Sequence, residues 1–109
     1  MKPRVYIETG IVSYLTAWPR RDLIVAAHQA LTAEWWRRGM PRCQPVISQF
    51  VLDEAALGDA QAAHERLAAL AHFPLVSAPV AEIERLAVAL VARRAMPAKA
   101  RYDALHVAV

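Results

Sequence analysis

The chain has 109 residues, 57% of them hydrophobic and only 3 of them glycine, which suits a single core and excludes a disordered or low-complexity segment. A formal charge of +3 and a pI near 9.5 lean basic, compatible with a polyanionic partner without requiring one. A single cysteine, Cys43, excludes an internal disulfide framework and a cysteine-based zinc site.

No apolar run reaches the roughly 18 residues of a bilayer span, and MKPRVYIE lacks the apolar core of a signal peptide. The expectation is a cytoplasmic protein with no membrane association.

In chain order, residues 5–8 read as a short β-branched and aromatic strand ending in Glu8. Thr9 is placed to cap a helix over residues 11–18, ended by Pro19. Asp22 caps a second helix, 23–38, on which Leu23, Ala27, Leu31 and Trp35 recur every four residues as an apolar stripe. Gly39 and Pro41 stop it, and Arg37 and Arg38 suit the negative end of its dipole. A second strand, 45–48, leads into a helix 49–57 that ends at Gly58. Asp59 opens a fourth helix to about residue 72, with Leu67, Leu70 and Ala71 on its apolar face. FPLVSAP gives a brief third strand, 80–94 a further amphipathic helix, and YDALHVAV the start of a last one, apolar enough to be buried on nearly all sides. Strands separated by helices predict a parallel sheet wrapped by helices, an α/β sandwich.

Most of the ten acidic residues are helix caps or lie on polar faces, but three do not fit that pattern. Glu8 stands at the carboxyl end of a strand, where open parallel sheets collect their ligands. On a helical wheel, Phe50, Val51 and Leu57 define an apolar face with Glu54 near its middle, and Asp53 points well away from that face. A carboxylate on a buried stripe is costly unless it is paired or metal-bound, which singles out Glu54; a salt bridge to an arginine is the other account. Asp103 heads ALHVAV, where helix capping competes with a functional role. If the three converge, their mutual repulsion demands a cation, and hard oxygen donors select Mg²⁺ or Mn²⁺.

These segments resemble the motifs of PIN domains. VYIETGIVSYL resembles the opening motif, in which an acidic residue ends the first strand and a small polar residue follows. Glu8-Thr9 stands where Asp is usual. VISQFVLDEAALGD is similar to the second motif, with Ser48 ending the strand and Glu54 on the next helix, and YDALHVAV resembles the third, whose Asp corresponds to Asp103. The resemblance follows the family's order and spacing over nearly the whole chain.

It implies a three-layer sandwich around a short central parallel sheet. The implied activity is that of a Mg²⁺- or Mn²⁺-dependent single-strand endoribonuclease of the VapC-like toxin kind, held in check by a cognate antitoxin protein and commonly a homodimer. On this reading Glu8, Glu54 and Asp103 hold the metal and carry catalysis, Thr9 and Ser48 are supporting hydroxyls, and Arg93, Arg94, Lys99 and Arg101 contact the RNA backbone. Water attack on the phosphodiester would leave a 5′-phosphate and a 3′-hydroxyl. The alternative is a degenerate PIN-like module that captures RNA or an antitoxin without cutting. The family continues with a further strand, a fourth acidic or Asn position and a closing helix and strand. The single domain, 1–109, is therefore expected to be incomplete at its C-terminus, with those strands missing and activity reduced.

Other polar residues invite blander readings. His28 and His64 suit helix boundaries, His106 a buried packing role, and His72 forms no metal-ligand pair with the rest. Of the adjacent Trp35 and Trp36, one is expected to pack inward and the other to face out. Cys43 has no neighbouring base and is expected to be inert.

Overall fold

Two parallel strands of three residues anchor the first of two compact units, which span Met1–Leu75 and Val76–Val109. The structure, a computed structural model, describes residues 2–76, 80–93, 97 and 101–109. In the first unit β1 (Arg4–Tyr6) pairs with β2 (Gln44–Val46) in the register Arg4↔Gln44, Val5↔Pro45 and Tyr6↔Val46. Backbone bonds extend the ladder both ways, from Gln44 N–H to Pro3 (2.8 Å) and from Ile7 N–H to Val46 (2.9 Å). A parallel bridge between Ile47 and Leu75 begins a third position on the other side of β2. The architecture is mixed α/β, mostly helical, with a short parallel sheet.

Helix α1 (Thr9–Thr16) starts directly after β1, earlier than its sequence suggests, and the backbone of Glu8 rather than Thr9 takes the N-cap position. α2 (Leu23–Arg38) begins where Asp22 accepts bonds from the Ile24 and Val25 amides, both at 3.0 Å. Its end at Gly39 is a packing requirement. A side chain on Gly39 would collide with the Trp35 indole. A 3₁₀ turn (Met40–Arg42) then feeds β2, where the buried Cys43 thiol is bonded to the Met40 carbonyl. α3 (Gln49–Ala55) and α4 (Ala60–Leu70) are joined at Gly58, whose φ of +83° an L side chain would resist. Arg66 on α4 reaches back to the Ala55 and Leu57 carbonyls at 3.1 and 2.6 Å, satisfying acceptors at the end of α3.

Ile7, Val12, Ile47, Val51, Ala55 and Leu70 form the core of this unit. Each fully buried aliphatic side chain contributes about 1.5–3 kcal/mol. Trp35 and Trp36 are both half-buried against that core, with Trp36 stacked at a tilt on Phe73, so the expected inward–outward split does not occur. Of the stripe foreseen on α2 only Trp35 meets the core; Ala27 is exposed, Leu23 is 85% and Leu31 65% exposed, and the helix's one fully buried residue is Thr32. Leu57, expected on the buried face of α3, lies beyond the helix and is exposed, while Val51 and Ala55 take that role. Ala71 likewise falls past the end of α4 and is exposed.

In the second unit α5 (Val80–Ala92) packs against α6 (Arg101–Ala108) through Ile83, Ala87, Ala104 and His106, all buried. Val107 is exposed, so α6 is apolar on one side rather than all round. Among the described residues no helix is long and apolar enough to cross a membrane.

Candidate active site

The carboxyl ends of the two strands bring the first two motifs together. β1 runs out into Glu8, whose extended backbone (φ −85°, ψ 157°) opens α1 without a capping bond from its side chain. The carboxylate curls toward Gly10 instead, where a Cβ would stand 2.8 Å from Glu8 Oε2. The positive end of the helix dipole favours a carboxylate there. Thr9, the first residue of α1, is buried and donates its hydroxyl to Glu54 Oε1 at 3.4 Å across 45 positions of sequence. That bond explains why Thr9 does not cap its own helix.

β2 ends one residue before Ile47, and Ser48 follows as the N-cap residue of α3, only 3% exposed. Its hydroxyl makes no capping bond and lies 2.8 Å from the Tyr6 phenol oxygen. One turn and a half into α3, Glu54 is half-buried and Asp53 is exposed, bonded to Gln49 at 2.9 Å. The helical wheel thus separated the two acids correctly, although Val51 and Ala55 define the buried face.

Tyr6 is the member that sequence reasoning missed. Burial pushes its phenol above the ordinary tyrosine range, the bond with Ser48 works against that, and the charges of Glu54 and then Glu8 raise it further. Both carboxylates therefore act on one hydroxyl. The available signal was strand period: Tyr6 is two residues before Glu8 and so belongs to the same face of an extended chain.

Glu8, Thr9, Ser48 and Glu54 are brought together in the first unit. Asp103 is exposed in the first turn of α6, two residues inside the helix rather than at its cap, and is described with the second unit alone. Arg93 is exposed just past α5. Arg94, Lys99 and the side chain of Arg101 lie outside the described residues. Among the described residues no group of three or more His, Cys, Asp or Glu side chains gathers in a metal-holding arrangement. The cluster offers only oxygen donors, two carboxylates with three hydroxyls, a set whose chemistry fits a hard divalent cation rather than a soft one.

His28 is exposed, its Nδ1 3.2 Å from the Tyr14 hydroxyl and its ring edge-on to that of Tyr14, while His64 and His72 are also exposed. No protein-family model, curated protein or solved structure matches the chain.

Proposed function

We propose that the chain is a Mg²⁺- or Mn²⁺-dependent endoribonuclease acting on single strands, built as a PIN-like three-layer sandwich and serving as the toxin of a toxin–antitoxin pair. The observation that carries this reading is the bond from Thr9 to Glu54, which brings a residue of the first motif beside the acid of the second. Glu8 and Glu54 would hold the metal from this unit, with Asp103 as the third carboxylate by resemblance. A bound divalent ion supplies an acidified water and positive charge against the phosphate of the substrate.

The chain's own side chains have separable tasks. Thr9 narrows the rotamer choice of Glu54 by donating to one of its carboxylate oxygens. Tyr6 and Ser48 hold each other, fixing the start of α3 against the end of β1 and with it the approach of the two acids. The RNA backbone would be met by the basic positions Arg93, Arg94, Lys99 and Arg101.

The deciding measurement is cleavage of a fluorescent single-stranded RNA with Mn²⁺, wild type against Glu54→Gln. The expected result is a loss of at least about a hundredfold, since an oxygen ligand and its charge are both removed. Equal cleavage by the two proteins rules out this site. The second reading is a PIN-like module that binds RNA or an antitoxin without cutting. Retained RNA binding by wild type with no Mn²⁺-dependent cleavage selects it.

A further inference from the structure

A second feature lies at the opposite end of the strands. The first unit opens there into a cleft of about 920 Å³ lined by Lys2, Arg4, Gln44, Pro45, His72 and Phe73, among others. Its origin is visible in the ladder. Gln44 bonds toward β1, and Ile47 bonds away from it to Pro74, so the strand edge between them faces the start of the third position unpaired. Pro45 has no N–H, and in the alternating pattern of a parallel strand its nitrogen faces that unpaired side. No donor is stranded at that position.

The lining has one sign of charge. Among the described residues no carboxylate borders the cleft. Lys2 and Arg4 are both exposed, and among the described residues neither forms an ion pair with an acid. Arg4 opens β1 and Lys2 stands two residues ahead of it, and both line the cleft. Phe73 adds an aromatic wall held in place by Trp36, with ring centres 5.5 Å apart. Uncompensated cations beside a fixed aromatic surface are the combination that tracks a nucleic-acid backbone and stacks a base without reading sequence. The cleft is also too large to be filled by one inorganic phosphate.

We infer that this cleft binds the phosphate backbone of a single-stranded oligonucleotide, with Lys2 and Arg4 on successive phosphates and Phe73 against a base. The inference does not depend on the carboxylate cluster or on hydrolysis. It is tested by fluorescence anisotropy of a labelled single-stranded RNA in the presence of a chelator, which removes divalent ions and any cleavage. Lys2→Gln/Arg4→Gln is expected to weaken binding at least tenfold and to reduce the slope of log affinity against log salt by about 1.4. Arg20→Gln/Arg21→Gln, which removes the same charge from exposed positions ahead of α2, is expected to change affinity less than about threefold. Phe73→Leu is expected to weaken binding with the salt slope unchanged.

Both charge pairs are exposed, so the variants keep the fold, and circular dichroism checks that. Equal losses from the two double variants, or an unchanged Lys2→Gln/Arg4→Gln, overturn the inference. So does full displacement of the RNA by inorganic phosphate at the same phosphate concentration, which would assign the cleft to a small anion. Because no step requires cutting, a negative result here leaves the Glu54→Gln test standing, and the reverse also holds.

Discussion

Tyr6 holds a phenol hydroxyl 2.8 Å from the Ser48 oxygen while burial, and after it the charges of Glu54 and Glu8, raise the cost of ionising it. The folded chain therefore keeps that proton more tightly than the unfolded chain does. Stability tied to the group is intact below about pH 10 and falls as pH rises through the folded value. Replacing Tyr6 by Phe costs about 1 kcal/mol at neutral pH, for one hydrogen bond, but it removes the alkaline loss. Thermal unfolding of both proteins from about pH 8 to about pH 11 should show the gap in Tm narrowing as pH rises. A constant gap would mean that the phenol ionises alike in both states. At this scale the sequence was informative where a rule of charge burial applied. It picked Glu54 over Asp53, and the structure makes the first half-buried and the second exposed. It was silent on Tyr6, because a tyrosine in a strand is ordinary and only its partner 42 positions away gives it a task.

Helix boundaries were legible where local chemistry sets them. Asp22 opens α2 as capping rules predict, and Asp59 opens α4 with a bond to the Ala62 amide at 2.9 Å, whereas Gly39 ends α2 in right-handed backbone (φ −83°) for packing rather than as a left-handed cap. What periodicity did not reveal is which face of α2 meets the core. Leu23 and Leu31 recur at helical spacing as a core stripe would, yet the helix turns Trp35 and Trp36 inward, because two indoles cover more of the sheet's helical layer than the leucines can. Short strands were the other blind spot: with three residues each, period two has too few points to fix their ends, and pairing across the ladder decides them. The junction after α2 is a direct test of that packing. Gly39→Ala puts a methyl into the Trp35 indole and within 3.0 Å of the Trp35 carbonyl. The expected cost is about 1–3 kcal/mol, read from urea unfolding. No change in the midpoint would show that the indole moves aside freely.

The two units differ in how much they bury. Among the described residues the largest fully buried side chains, Ile7, Ile47, Leu70, Val12 and Val51, all belong to the first, whereas α5 and α6 bury Ile83, two alanines and His106. Burial of smaller side chains gives less resistance to opening. Native-state hydrogen exchange should therefore find amides of α5 and α6 exchanging faster than those of β1, β2 and α3. Equal protection in both units would mean that they open together.

The Arg66 clamp gives the first unit a property that its acids alone would not have. Glu54 is held on its carboxylate by Thr9, and the carbonyl of the very next residue, Ala55, is gripped by a guanidinium eleven positions further along the chain. The acid is therefore held through its side chain and through the backbone that follows it. A guanidinium that bonds only carbonyls at the end of α3 thereby helps to set where the carboxylate stands.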